Sequence, residues 1–526
     1  MSGLRKGQLP ALRRRYACGR WAARLLRAAA AVLVVLASVA AATSCGGAPR
    51  PDQHAQVRLA AQTRPPASQT SVLAGQADVV AGSLVQELFA SAPVVIIASP
   101  DRPPELAAAT RWALRAHAPL LLASARPGGA VVSATLRARI KALHPRAALA
   151  MGVDGNALAA ALPGIRVVTD PAMLPATTAP PSLGHLALLV QAGDRGAATL
   201  AAMTTARVAG ARVIAVRGGD PRTDPAAIAS LSAARPRQVI AIGAGFAPAG
   251  QLASRVAAAQ TGVQLPGGGQ IMFPGRLLVA LYGHPGAPAL GVLGHQGLSA
   301  SIARARKVAA AYHARSRVPV IPTMEIITTV AEAHPGPDGS YSYQSPVSFL
   351  RPWVRRAAAA GMYVVLDLQP GRASLLAQAR RYQSLLKLPD VGLALDPEWK
   401  LAPGQLPDRQ IGSVGISEVN SVITWLAGLT AHYRLPQKLL VLHQFRLSMI
   451  RDEHELDTRH QDLAILIHMD GQGTPGDKQQ TWDAVTRAAP AGVFFGWKNF
   501  YTKDHPMMSP QQTIARTPQL SMISYQ

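Results

Sequence analysis

The fold is decided by the stretch VGLALDPE, residues 391–398. Its short apolar run is typical of a strand buried on both faces of a parallel sheet, and acidic residues follow directly where the run ends. Side chains alternate between the two faces of a strand, so Ala394, Asp396 and Glu398 share one face while the leucines occupy the other. We therefore expect the two carboxylates to point to the same side of the sheet.

The same pattern recurs along the C-terminal half of the chain. Short apolar runs, separated mostly by segments with helical patterning, predict eight strands at 277–283, 318–324, 363–368, 391–395, 438–443, 463–469, 492–497 and 520–525. This number of strands in about 250 residues is typical of a (β/α)8 barrel, also called a TIM-like barrel. We therefore predict such a barrel for residues 275–526.

Polar and aromatic residues cluster at the predicted strand ends. In a barrel these ends share one rim, where active sites of this fold are built. The candidate catalytic residues are Glu325, Asp367, Asp396, Glu398 and Asp470. The candidate ligand-binding residues are Tyr282, His284, Gln369, Trp399, His443, Gln444, His468, Trp497 and Lys498.

Grouped carboxylates raise one another's pKa, so that one can stay protonated as a general acid while another stays ionised as nucleophile or base. Glycoside hydrolysis needs such a pair, and Trp399 or Trp497 could stack on a sugar ring. The strand end Asp396-Pro397-Glu398 also resembles the Asp-x-Glu ends of barrel glycosidases, including muramidases. We expect Asp396 and Glu398 to be the principal catalytic residues of a glycosidase.

Two other interpretations of the rim remain open. The carboxylates, histidines and Lys498 could form a closed polar layer that only fills the barrel, which would make the protein a non-catalytic binding or structural protein. Alternatively, His284, His443, His468 and Asp470 could converge as metal ligands, although the chain has no His-Glu-x-x-His motif. We expect neither a metal nor a cofactor.

The N-terminal half contains an internal duplication at residues 76–265. Asp101 and Asp194 end corresponding apolar runs 93 residues apart, and Gly152 and Gly243 do so 91 residues apart. Aliphatic runs that alternate with helical segments predict βαβ units around a parallel sheet. The predicted fold class is therefore α/β, with a duplicated βαβ domain followed by the barrel.

The duplicated region resembles the cell wall-binding repeat 2 family. That family carries a "gaPiLL" strand, which matches APLLL at residues 118–122, and a later strand that ends in glycine. Its members typically have three tandem repeats, whereas two are visible here. The resemblance implies binding to a cell-wall polysaccharide or another anionic polymer of the cell envelope.

The N-terminus has the pattern of an export signal. Eight cations and no acidic residue precede an apolar run at 28–42, which ends in small residues before Cys45. This end resembles a bacterial lipobox, which implies cleavage after residue 44 and lipidation of Cys45; a plain signal peptide is the alternative. Residues 45–75 are predicted to be a flexible tether.

Charge and cysteine content agree with an envelope location. Cys45 is the only cysteine left after the signal is removed, so no internal disulfide can form. The net charge is +25, and removal of the signal leaves 45 basic against 28 acidic residues, or +17. Since no nucleic-acid recognition motif is present, we expect an anionic envelope polymer as partner, a lipid-anchored membrane association and no nucleic acid.

Several segments of the barrel half resemble those of actinobacterial surface lipoproteins. They include ALDPEW at 394–399, LHQF at 442–445 and GWKNFY at 496–501. The resemblance implies location at the cell surface, anchored to the outer face of the cytoplasmic membrane, and it supplies no reaction.

Overall fold

The computed structural model describes residues 59–123 and 132–526, which belong to one compact unit. The expected signal peptide at 1–44 and the expected lipidation of Cys45 lie outside the described residues. No helix in the described ranges combines the length and the apolar character needed to cross a bilayer.

Two four-stranded parallel sheets form most of the N-terminal part. Its strands are β1 Leu59–Ala60, β2 Gln62–Thr63, β3 Thr70–Leu73, β4 Phe89–Ser91, β5 Val94–Ala98, β6 Leu120–Leu122, β7 Ala147–Met151, β8 Arg166–Val168, β9 Thr177–Thr178, β10 Leu186–Gln191, β11 Arg212–Val216 and β12 Gln238–Ile242. The strand orders are β6-β5-β7-β8 and β11-β10-β12-β3. In both sheets the first strand of the repeat lies between the second and the third, which confirms the predicted pair of parallel βαβ units.

Helices cover the sheets and join the two repeats. They are α1 Ala77–Leu88, α2 Pro103–Arg115, α3 Ala134–Ala142, α4 Gly155–Ala161, α5 Ala197–Val208, α6 Pro225–Ala234 and α7 Ala249–Ala259. One hydrophobic cluster contains Leu84 of α1, Ile97 of β5 and Leu188 of β10. The repeats therefore share a core.

Regular structure begins earlier than the expected onset at Gln76. Strand β3 pairs in parallel with β12, with Thr70 opposite Val239 and Leu73 opposite Ile242. The polar composition of this region does not predict a strand, because a strand at the edge of a sheet needs few apolar residues of its own. The last part of the expected tether is thus the fourth strand of the second sheet.

The eight parallel strands of the C-terminal part form the predicted closed barrel. Its strands are β13 Leu277–Gly283, β14 Val320–Ala331, β16 Tyr363–Leu368, β17 Val391–Leu395, β19 Lys438–Gln444, β21 Leu463–Met469, β22 Phe494–Asn499 and β23 Leu520–Tyr525. Each strand pairs in parallel with the next, and β13 closes the barrel by pairing with both β14 and β23. Short additional strands are β15 Ser342–Gln344, β18 Val414–Gly415 and β20 Ile450–Arg451.

The second barrel strand extends beyond its predicted end at residue 324. The end of β14 forms antiparallel pairs with β15, which continues the strand to Ala331. The barrel helices are α8 Leu298–His313, α9 Val347–Ala359, α10 Leu375–Arg381, α11 Gln383–Leu386, α12 Ile416–His432, α13 Pro475–Ala488 and α14 Pro510–Ile514.

The lower half of the barrel interior is apolar. Ala394 packs there with Val365 and Val441, whereas Leu393 and Leu395 pack in the layer between barrel and helices. The predicted alternation of β17 is therefore confirmed. Phe273 belongs to the interior cluster and closes the barrel at the amino ends of the strands.

A polar interface joins the N-terminal part to the amino ends of the barrel strands. Arg222 is 3% exposed and pairs with Asp220 at 2.8 Å and with Asp462 at 3.6 Å. Arg255 donates to Gln461 Oε1 at 2.9 Å. Because Gln461 and Asp462 directly precede β21, the N-terminal part covers this end and leaves the carboxyl ends of the strands free.

Candidate functional site

A polar layer lies above the apolar interior, with one side chain from each barrel strand or its immediate end. Its members follow the same alternation as Ala394, and each is at most 2% exposed. They are Tyr282, Glu325, Asp367, Asp396, His443, His468, Lys498 and Ser524.

His443 lies at the centre of this layer. Its Nε2 is 3.0 Å from Glu325 Oε1 and 4.0 Å from Asp367 Oδ1, and its Nδ1 is 3.3 Å from Asp470 Oδ2. Burial favours the neutral ring, but Glu325 and Asp470 outweigh it and raise the pKa of His443 well above its usual value. We therefore expect an imidazolium here at neutral pH. By contrast, burial and charged His443 hold the pKa of His468 well below its usual value.

Two carboxyl groups in the layer favour the protonated form. The hydroxyl of Tyr282 donates to Asp367 Oδ2 at 2.8 Å. Burial raises the pKa of Asp367 to about 6, against the opposing effect of His443. Burial and the neighbouring Glu398 raise the pKa of Asp396 well above its usual value. Both carboxyl groups therefore keep a proton to higher pH than an exposed aspartate does.

Asp396, Glu398 and Asp470 converge at the top of the layer. Each contributes a carboxylate oxygen, and these oxygens lie within 4.8 Å of one another. Burial, followed by the charge of Asp470, raises the pKa of Glu398 to about 7. Burial also opposes ionisation of Asp470, but His443 and Lys498 outweigh it and lower the pKa of Asp470. One carboxyl group is thus a proton donor near neutral pH, while its neighbour is an anion.

A cavity of about 430 Å³ opens over these groups at the carboxyl ends of the strands. Its polar wall includes Tyr282, Gln369, Glu398, Asp470 and Lys498 from the predicted site. The remaining lining side chains come mostly from loops, and they include Leu290, Trp399, Asp408, Phe445, Gln472, Phe500 and Lys503. Aromatic walls above a pair of carboxyl groups are suited to a sugar ring held against an acid and a nucleophile.

Five of the nine residues predicted to bind a ligand do not line this cavity: His443 and His468 lie in the polar layer below it, and Trp497, Gln444 and His284 lie elsewhere. Trp497 packs against Trp482 with ring centroids 5.6 Å apart, on the helix side of the barrel, because its neighbour Lys498 faces inwards. Gln444 likewise faces away from the interior and donates to Glu453 at 2.8 Å. His284 is 3.0 Å from Ser345 Oγ and stacks on Phe349.

The four residues of the alternative metal site do not form one ligand group among the described residues. His284 pairs with Ser345, and both ring nitrogens of His443 face carboxylates. The three oxygens of Asp396, Glu398 and Asp470 are instead the group whose spacing suits a cation among the described residues. Positive charge is already supplied there, since Lys498 Nζ is 3.8 Å from Asp470 Oδ2.

Some site residues were not predicted from the sequence. Ser524 contacts His468 Nε2 at 3.1 Å, and its inward position follows from the alternation along β23. Asp408 enters the cavity from a loop, where a period-two pattern does not apply. Phe445 directly follows β19 and lies two residues after inward-facing His443, so alternation could have placed it. Phe500 directly follows β22, so its position after a strand end was the available signal.

The fold and the site define an α/β protein whose (β/α)8 barrel carries a carboxylate-rich cavity. No protein-family model matches the chain, and the search of curated proteins found no match.

Proposed function

We propose that the barrel hydrolyses glycosidic bonds, with Glu398 as the general acid and Asp470 as the nucleophile. The supporting observation is that these two carboxyl groups meet within 4.8 Å at the cavity with opposite pKa shifts. Retaining glycosidases hold their two carboxyl groups about 5–5.5 Å apart, whereas inverting enzymes need about 6.5–9.5 Å to admit a water. The proposed reaction therefore retains the anomeric configuration.

The proton and the electron pairs move as follows in this proposal. Glu398 donates its proton to the glycosidic oxygen while an oxygen of Asp470 attacks the anomeric carbon, so the carbon–oxygen bond breaks and the leaving sugar departs as an alcohol. Glu398, now ionised, takes a proton from water, which attacks the same carbon and releases Asp470.

The surroundings of Asp470 favour this role. Its Oδ2 faces His443 and Lys498, while its Oδ1 has no hydrogen-bond partner among the described residues. One oxygen is thus held by cations, whereas the other is a buried acceptor that no protein donor occupies. Asp396, expected to be catalytic together with Glu398, is 1% exposed and does not line the cavity, so we give it a supporting role below the two reacting groups.

The test compares Glu398→Gln and Asp470→Asn with the exposed control Asp483→Asn. Release of reducing ends from peptidoglycan and wall glycans should fall by about 10²-fold or more in both site variants, and Glu398→Gln should change the melting temperature little. Adding azide to Asp470→Gly should restore turnover and give a glycosyl azide. Wild-type activity in both variants would refute the assignment. Glycan binding without any release by the wild type would support the non-catalytic alternative.

We also propose that the chain is exported and held at the membrane through lipidated Cys45. The n-region, the apolar run and the lipobox-like end support this. Cell fractionation of wild type and Cys45→Ala should show release of the variant only; equal distribution of the two would contradict the anchor.

The duplicated α/β part is proposed to bind an anionic envelope polymer. The repeat resemblance and the excess of basic residues support this. Because β3 at Thr70–Leu73 belongs to the second sheet, the intact chain is the proper test object rather than residues 76–265. Retention on purified wall polysaccharide should weaken steeply with salt. A lack of retention at low salt would exclude the proposal.

A further inference from the structure

Two cavities meet at the proposed general acid. The second cavity, of about 350 Å³, is lined by Glu398, Trp399, Asp408, Arg409, Gln410 and Ile411. Glu398, Trp399 and Asp408 also line the first cavity, whereas Asp470 lines only the first. The two volumes thus adjoin at these three shared residues, which we call the partition. The partition carries the acid, and the nucleophile lies on the side of the first cavity.

The outer wall of the second cavity is a loop held firmly against Glu398. We define this loop as residues 401–412. The backbone N–H of Gly412 donates to the carbonyl of Glu398 at 2.6 Å, and the N–H of Ser413 donates to the carbonyl of Lys400 at 3.1 Å. A Cβ at Gly412 would meet the carbonyl oxygens of both Glu398 and Lys400, so glycine permits this close approach.

The middle of the loop is also held. Arg372 donates to the carbonyl of Gln405 at 2.9 Å and lies over the ring of Tyr341, 4.2 Å from its centroid. Lys400, at the start of the loop, donates to Glu418 at 3.0 Å. These contacts keep Arg409 and Ile411 at a defined position relative to the acid. Loop 401–412 is therefore a pre-formed wall.

The mechanism of a retaining glycosidase indicates which part of the substrate lies on each side of this partition. The nucleophile contacts the sugar whose anomeric carbon is attacked, so that sugar belongs in the cavity lined by Asp470. The general acid contacts the bridging oxygen and therefore lies between the attacked sugar and the leaving group. The leaving group must then extend to the other side of Glu398.

We infer that the second cavity binds the leaving-group sugars of an oligosaccharide or polysaccharide, so that the substrate is a glycan chain rather than a small glycoside. This inference rests on the proposed glycosidase function. The volume of the second cavity lies within the range of ligand sites. Trp399 offers a ring to both sides, and the exposed guanidinium of Arg409 offers N–H donors to sugar hydroxyl or carboxylate groups.

The experiment uses the full-length chain and two substrates with the same attacked sugar, an aryl glycoside and an oligosaccharide. Arg409→Ala should lower kcat/KM for the oligosaccharide at least about tenfold more than for the aryl glycoside, since a hydrogen bond from a charged donor is lost only with the longer leaving group. The matched control is Arg355→Ala, an exposed arginine on α9, which should leave both values within about twofold.

A second measurement separates this inference from the proposed function. Calorimetry measures how tightly the Glu398→Gln variant binds the oligosaccharide without turnover. The double variant Glu398→Gln, Arg409→Ala should bind the oligosaccharide about tenfold more weakly. Weakened binding while the wild type cleaves neither substrate would support the subsite and refute the glycosidase. Unchanged binding, or equal losses of kcat/KM for both substrates, would overturn the subsite.

Discussion

Replacing Asp367 by Asn should make the stability of the folded protein less sensitive to rising pH. Asp367 is 0% exposed, and burial raises its pKa from 3.8 to about 6. A raised folded-state pKa means that stability is fully present at low pH and is lost as pH rises from the unfolded to the folded value. About two pKa units correspond to about 3 kcal/mol, lost between pH 4 and 6. Asn does not ionise, and its carbonyl can still accept the hydrogen bond from Tyr282.

The assay is the melting temperature of wild type and Asp367→Asn at pH 3.5 and 7.5. An unfolding entropy of about 2.1 cal/mol/K per residue gives roughly 1 kcal/mol/K for this chain, so the variant should gain about 3 °C on the wild type between the two pH values. The exposed Asp483→Asn should show no such gain. A difference between Asp367→Asn and wild type that is the same at both pH values would refute the burial argument.

Three further outcomes are expected. The kcat/KM for glycan cleavage should fall as pH rises through about 7, because Glu398 then loses the proton that it donates; a profile that is flat from pH 6 to 9 would contradict this. Lys478→Met should destabilise the fold by about 3–5 kcal/mol in urea, since it leaves buried Asp504 without its partner at 2.5 Å, and Asp504→Asn should recover part of the loss. Gly412→Ala should lower kcat/KM while the protein keeps most of its thermal stability, because the added Cβ forces loop 401–412 away from Glu398. Unchanged kinetics would show that the loop tolerates the added carbon.

Strand positions in the barrel were predictable because the local pattern and the final environment coincide. Residues 363–368 and 391–395 are aliphatic runs buried on both faces, and they form β16 and β17 within the predicted bounds. Alternation also placed Ala394 and Asp396 inside the barrel. The same rule, applied to every strand, would have excluded Gln444 and Trp497, since His443 and Lys498 are their inward neighbours.

The remaining features depend on contacts between distant parts of the chain. Thr70–Leu73 has little strand character by itself and becomes a strand because the edge of β12 is free to pair with it. The assignment of Asp470 rather than Asp396 as the reacting carboxylate depends on the positions of His443 and Lys498, which only the closed barrel brings together. Loop side chains such as Asp408 follow no periodic rule.

Strand β3 also determines how the molecule would respond to mechanical tension. A pull on the N-terminal end reaches the two-residue strands β1 and β2 first, and then β3 at Thr70–Leu73, which is bonded to β12, the last strand of the second repeat. Parallel neighbours pulled along their length must break several backbone hydrogen bonds together, which resists force better than breaking them one at a time. From β12 the chain continues to α7, where Arg255 contacts Gln461 beside barrel strand β21. For a protein tethered at that end, once the short pairs of β1 and β2 have separated, tension would pass to the barrel through the second sheet rather than through the first.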